Sequence, residues 1–326
     1  MRKLLFLFVA AILTATNSFA QSTLVATLAH GTDITMYYGS YALQSAYKAA
    51  VSGDIINLSG GTFQSVNIEK ALTIRGAGID AAMPTYIINS FNIDIPSEDA
   101  NRLSMEGIIC SGSITLGNTF CNPLFFKSKF SQISYRSFDA DITRKTQFVN
   151  CKISGSISLT QKDYLQAINS FLRSITGTDA TVSLDNCVLT DPNSSAIYIL
   201  TNCIVTSNGY ASYTLNKASV ATNCVYMNFK YDIFSNMQQK VGCSGSTYAN
   251  VFKNYTGTYS DAQTFELTDE AKSTLIGTDG TQIGIYGGIM PYDSTPLYPH
   301  ITKMNVANKT TIDGKLSVEI EVSAAD

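Results

Sequence analysis

An all-β solenoid is the fold class this sequence predicts, and three observations predict it. Charge is scarce: 22 Lys and Arg with 25 Asp and Glu make 14% of 326 residues, against about 25% in an average soluble domain. Ser, Thr and Asn supply 91 residues and Trp none, a composition of strands and turns rather than helices. A phrase of the form apolar-x-Asn-Cys-x-apolar recurs along the middle of the chain at a drifting period near 20, which is how stacked coils with variable loops look in sequence.

The first element is an address. Met1-Arg2-Lys3 is a short basic segment, Leu4 to Leu13 is apolar, and Ser18-Phe19-Ala20 offers small residues before a cleavage point at Gln21. This reads as a secretory signal peptide over 1–20. The apolar run falls short of the roughly 20 residues that span a bilayer, and no other run approaches that length. No Cys follows the cleavage point to carry a lipid. The expected location is therefore secreted, periplasmic or cell surface. A net charge of −3 argues against a nucleic-acid partner.

The cap region is expected over 21–53, with a helix at about 40–51. Ser40 stands where an N-cap would. Leu43, Ala46, Tyr47 and Ala50 share one helical face, and Gly53 follows as a stop. Three short strands come next: Gly53-Asp54-Ile55-Ile56-Asn57-Leu58 leading to Gly61-Thr62-Phe63, then Val66-Asn67-Ile68, then Leu72-Thr73-Ile74-Arg75-Gly76-Ala77-Gly78.

The repeat phrase is Phe148-Val149-Asn150-Cys151-Lys152-Ile153, matched by Leu184-Asp185-Asn186-Cys187, Leu200-Thr201-Asn202-Cys203 and Ala221-Thr222-Asn223-Cys224. Ala167-Ile168-Asn169-Ser170 carries Ser for Cys, and Ile87-Ile88-Asn89-Ser90 reads as an earlier copy. Asn tolerates the left-handed region that turns one strand sharply into the next. The expected result is a structural ladder of Asn150, Asn169, Asn186, Asn202 and Asn223. Their amides should bond to one another along the inside of the stack. Cys151, Cys187, Cys203 and Cys224 should stack beside them as small buried thiols. Cys110, Cys121 and Cys243 lie outside the phrase, the first two being the best disulfide candidates. No CxxC spacing suggests zinc.

The helix, the Gly-Asp-x-Ile-x-Leu phrase at Gly53, the Gly61-Thr62-Phe63 turn and Leu72-Thr73-Ile74-Arg75-Gly76-Ala77-Gly78 together resemble the opening of right-handed parallel β-helix proteins. These form the pectate-lyase-like superfamily, and the likeness is strongest to secreted bacterial members without assigned function. The resemblance covers residues 40 to 78. It implies a single-stranded right-handed parallel β-helix whose open end is covered by the helix and whose first coil is those three strands. An uncovered end would aggregate through its unpaired edges. The β-helix is expected over 54–290, roughly a dozen coils and about 55 Å long at strand spacing. In the 291–326 tail, Leu316, Val318, Ile320 and Val322 alternate with polar residues after Asp313-Gly314. That predicts a C-terminal β-hairpin with 300–306, or an edge strand.

Chemistry is harder to find. The fold implied by the resemblance hosts lyases that use carboxylates to hold calcium or neutralise a uronate, with Arg or Lys as base. The densest charge runs from Arg136 through Asp139, Asp141 and Arg144 to Lys145. Asp139, Asp141, Arg144 and Lys145 are the weak catalytic candidates, with solvated loop charges as the commoner origin of such a run. His30 and His300 are the only histidines and far apart, which disfavours a metal pair or a His-based nucleophile. His30 reads as a turn residue. Tyr198, Tyr210, Tyr213, Tyr226 and Tyr231 are candidates for a sugar platform. Two classes follow. One is a monomeric, non-catalytic module that binds a polysaccharide or a surface protein, or simply spaces and displays as a structural element, without cofactor. The other is a polysaccharide lyase or glycoside hydrolase acting on acidic polysaccharide, with Ca2+.

Overall fold

The computed structural model of the protein describes residues 24–95, 101–117, 122–136, 143–306, 309–311 and 313–323. The signal segment lies outside the described residues, as do Cys121, Asp139 and Asp141.

Each repeat lays down two strands with the Asn as the bend between them. In the coil of Asn150, Lys145–Val149 runs into Lys152–Ser158. The same two strands recur coil after coil, so the first members build one sheet (sheet A) and the second members another (sheet B). Sheet A holds ten parallel strands from Ile55–Leu58 to Gln239–Val241, and sheet B ten from Gly61–Gln64 to Ser244–Gly245. Phe91–Ile93 is a side strand of sheet B, paired with Ile108–Leu116. Nine steps of about 4.8 Å give a stack about 43 Å long.

Side-chain alternation fills the interior. In sheet A, Ile56, Ile74, Met105, Phe125, Phe148, Ala167, Leu184, Leu200 and Ala221 stand in register, and each is sealed from solvent. Phe125 stacks on Phe148 with centroids 5.0 Å apart. Identical positions meeting coil on coil make one continuous core, which no single coil could bury alone.

The cap differs in detail from expectation. The helix spans Ala42–Ala49 and buries Ala42, Leu43, Ala46 and Tyr47 against the first coil. Ser40 does not cap it: Tyr41 is the N-cap residue, without a side-chain bond. Ahead of the helix, Val25–His30 and Asp33–Tyr38 form an antiparallel hairpin that extends sheet A. His30 precedes its turn, and its Nδ1 lies 2.7 Å from the Asp54 carboxylate.

The larger correction concerns the far end. The stack stops at Gly245, not near Met290. No further copy of the phrase follows Cys243, and the chain turns back along the outside of the coils. Thr278 meets Asn202, Ile285 and Gly287 meet Asn169, Pro291 meets Asn150, Asp293 meets Lys127, and Tyr298 meets Gly76. The reason lies just past each Asn-Cys pair. Phe171, Val188, Ile204 and Val225 point outward from sheet B, yet are buried. The returning segment covers them with Val251, Phe252, Tyr255, Phe265, Ile283 and Ile285, making a second core. Phe265 stacks on Phe171 at 4.4 Å. The tail then forms the expected hairpin, His300–Val306 antiparallel to Val318–Ser323.

Candidate functional site

The corner between the two sheets is the most regular feature of the surface. Gly107, Lys127, Asn150, Asn169, Asn186, Asn202, Asn223 and Gly242 occupy it on successive coils, all with φ between 46° and 64°. Only Asn and Gly take this conformation cheaply, so Lys127 is the strained exception. Its ammonium is held by the Asp293 carboxylate at 2.7 Å and the Thr295 carbonyl at 2.6 Å. Asn89 belongs to a different corner, because its strand Thr85–Ile88 lies in sheet B.

The Asn amides do not bond to one another, which corrects the inner-ladder expectation. Those of Asn150, Asn169 and Asn202 face outward and hold the returning segment. Asn169 Nδ2 donates to the Ile285 and Gly287 carbonyls at 2.9 and 2.6 Å. Asn202 binds Thr278 through both ends of its amide. An amide turned into the core would find no such partners.

Cys151, Cys187, Cys203 and Cys224 are free, fully buried thiols that do more than fill space. Each donates to the carbonyl two residues before it, at 3.1–3.4 Å. The sulfurs of Cys224 and Cys243 accept from the backbone N–H of Cys203 and Cys224 on the coil before, at 3.4 Å. Ser170 does the same for Cys151 at 3.0 Å. Burial pushes the Cys151 thiol up to about 12. Cys110 sits elsewhere, facing inward among the sheet B residues as a free buried thiol.

Of the catalytic candidates only Arg144 and Lys145 fall among the described residues, and they point to different surroundings. Arg144 is buried in a fixed cage: it bonds Asp163 through two nitrogens at 2.7 and 3.0 Å, the Thr160 hydroxyl at 2.7 Å and the Gly117 carbonyl at 3.0 Å. Such a guanidinium holds two loops together and is closed to a substrate. Lys145 is exposed, and Arg136 pairs with Asp94 at 3.3 Å. The tyrosines divide likewise. Tyr198 is sealed in the core, Tyr213 and Tyr226 pack edge-on against Phe229, and Tyr210 and Tyr231 remain exposed.

Two outward surfaces remain open. On sheet B the triplets Ser113-Ile114-Thr115, Gln132-Ile133-Ser134, Ser156-Ile157-Ser158 and Ser174-Ile175-Thr176 stand in register. Every central Ile is fully buried, so the flanking side chains form two outward ranks. Neighbours touch: Thr115 and Ser134 hydroxyls at 3.2 Å, Thr176 and Ser158 at 3.2 Å, Ser113 and Gln132 at 3.2 Å. The ranks repeat at about 4.8 Å along the stack and about 7 Å across it. A bulge before each triplet resets the register. Gly155 sits at one such bulge, where a Cβ would lie 1.9 Å from the Ser131 carbonyl oxygen. The signal in sequence was four polar-Ile-hydroxyl triplets, visible only once the coils are aligned.

The second surface is a cleft of about 400 Å³ between sheet A and the returning segment, lined by Arg75, Ser104, Glu106, Leu124, Phe126 and Tyr298. Arg75 Nε donates to Glu106 at 3.2 Å, and its guanidinium lies 5.4 Å from the Tyr298 ring centre. The Tyr298 hydroxyl donates to the Gly76 carbonyl. Gly107 admits it, since a Cβ there would lie 2.6 Å from that oxygen. Burial holds the Glu106 carboxyl above its ordinary 4.5, with Arg75 opposing.

Beside the corner, Lys129 and Lys152 adjoin on consecutive coils. Asp261 holds Lys129 at 2.9 Å. Lys152 rests 5.3 Å from the Tyr292 ring centre, and burial pulls its ammonium below the ordinary lysine range, against Asp80.

Two sheets of in-register parallel strands, joined corner by corner into one winding, decide the fold. The chain is a parallel β-helix. The crystal structure of pectate lyase Pel9A is similar to it with a TM-score of 0.35 and 11% sequence identity, over 75% of this chain and 90% of that one. No protein-family model matches the β-helix, and no curated protein matches it.

Proposed function

We propose that this β-helix is a non-catalytic glycan-binding module, secreted or held at the cell surface, working as a monomer and without cofactor. The observation that carries the reading is the double rank of hydroxyls, with Gln132 among them, on sheet B. Hydroxyls such as Thr115, Ser134 and Ser113 spend one bond on a neighbour and keep capacity for a second. A neutral polysaccharide presents hydroxyls at a steady pitch, and a rigid rank meets it without ordering loops first. The cleft at Arg75 and Tyr298 adds a ring and a charged pair that suit a chain end.

Retention by insoluble neutral glycans tests this. The variant Thr115→Val, Ser134→Ala, Ser158→Ala, Thr176→Val should lose retention with an unchanged melting temperature. Full retention by that variant sinks the reading.

A second reading, a lyase or hydrolase acting on acidic polysaccharide, is favoured by Lys152. A half-buried amine with a lowered pKa between carboxylates is what a general base needs. Among the described residues no three His, Cys, Asp or Glu side chains converge as a metal site, so no step is routed through calcium. Unsaturated uronate released from pectin, alginate or chondroitin-type polymers, and lost in Lys152→Met, would establish this reading instead.

A further inference from the structure

The thiol stack ends in solvent. Cys151, Cys187, Cys203 and Cys224 are fully enclosed, whereas Cys243, on the last coil, is only partly covered. We infer that Cys224 and Cys243 form an oxidisable pair that staples the last coil to the one before it.

The spacing is favourable here as it is one step inward, and only here is the pair at an open end. Val225 pairs with Ser244 in parallel register, so the cysteines just before them occupy equivalent positions on adjacent coils. Strand spacing of about 4.8 Å lies within the Cα separation a disulfide accepts, about 4.4–6.8 Å. The two residues already touch, the Cys224 N–H donating to the Cys243 sulfur at 3.4 Å. Side chains in parallel register run side by side, so the Cβ atoms must close slightly to reach about 3.8 Å. Inner rungs are clamped by coils on both faces. The last coil is not: Gln239–Val241 and Ser244–Gly245 are exposed along their length.

The reaction needs a disulfide of low molecular mass as oxidant. The Cys243 thiolate attacks one sulfur of that disulfide and expels a thiolate, leaving a mixed disulfide. Cys224 then attacks the Cys243 sulfur, and the second thiolate leaves. One protein S–S bond forms, one external S–S bond breaks, and the two thiol protons pass to the two released thiols. The bond closes a loop holding one whole coil, residues 224 to 243. It blunts an end whose short exposed strands otherwise fray.

Incubating the folded full chain with oxidised glutathione, followed by non-reducing peptide mapping, tests this. The expected product has lost two hydrogens and yields a linked peptide pair containing Cys224 and Cys243. It should melt higher than the thiol form, reversibly on reduction. Cys243→Ser, at a partly exposed position, should fold and give neither the link nor the shift. A glutathione adduct that persists on Cys243, a link between other cysteines, or a thiol pair unchanged after prolonged oxidation would each overturn the inference.

Discussion

Asn202 grips Thr278 from both sides: its Oδ1 accepts the Thr278 backbone N–H at 2.9 Å, and its Nδ2 donates to the Thr278 hydroxyl at 3.2 Å. The residues are 76 apart in sequence. A corner residue whose φ of 54° suits Asn thus also docks the returning segment. Asn202→Leu should cost about 1–3 kcal/mol for the polar groups left unsatisfied, plus about 1–2 kcal/mol for the left-handed backbone. Asn202→Gly keeps the bend and loses only the grip, so it should cost less. Thermal melts of both variants check the order; a melting temperature of Asn202→Gly equal to that of the wild type would show that the grip is idle.

The returning segment passes close at Gly287, where a Cβ would lie 1.7 Å from the Gln282 carbonyl oxygen and 2.9 Å from Asn186 Oδ1. Gly287→Ala should lift the segment from the corner there. Limited proteolysis should then cut between residues 275 and 290 before any coil is cut. Cleavage at the wild-type rate would contradict the close fit.

Arg144 and Asp163 are both almost wholly buried. Removing one partner of such a pair strands the other charge, at about 3–5 kcal/mol. Asp163→Ala should therefore be among the most destabilising single changes, whereas Lys145→Ala at the exposed neighbour should be near neutral. Denaturant melts distinguish them.

Glu106 links stability to pH. Its carboxyl titrates above 4.5 in the fold because burial disfavours the charge. A raised value means the folded state holds the proton more tightly. The contribution of Glu106 is greatest below its unfolded pKa and is lost as pH rises through the folded one. Melting temperatures from pH 4 upward should carry that decline, and Glu106→Gln should flatten it. The same slope in both proteins would exclude Glu106 as its source.

Thiol titration reads the stack. The sequence holds seven cysteines, so after oxidation of one pair, five should titrate on denaturation. In the native, reduced protein Cys243 should react first and the enclosed thiols hardly at all. Fast modification of Cys151 would mean the corner opens.

The coils, their bends and the buried thiols were legible in the sequence, because each is a local pattern repeated. Alternation placed Phe148, Leu184 and Leu200 inside, and Asn at the bend follows from backbone sterics alone. Three things needed the tertiary structure. The chain's return was hidden because residues 246–299 repeat nothing; its cause is the outward apolar column Phe171, Val188, Ile204 and Val225, four residues from four coils. The partners of the Asn amides were hidden for the same reason, since Thr278, Ile285 and Pro291 are distant in sequence. Arg144, a weak catalytic candidate in the sequence, holds loops instead, because its carboxylate, Asp163, arrives from the next coil. Periodicity determines what each coil does with its neighbour. Only the folded chain decides what lies across the coils.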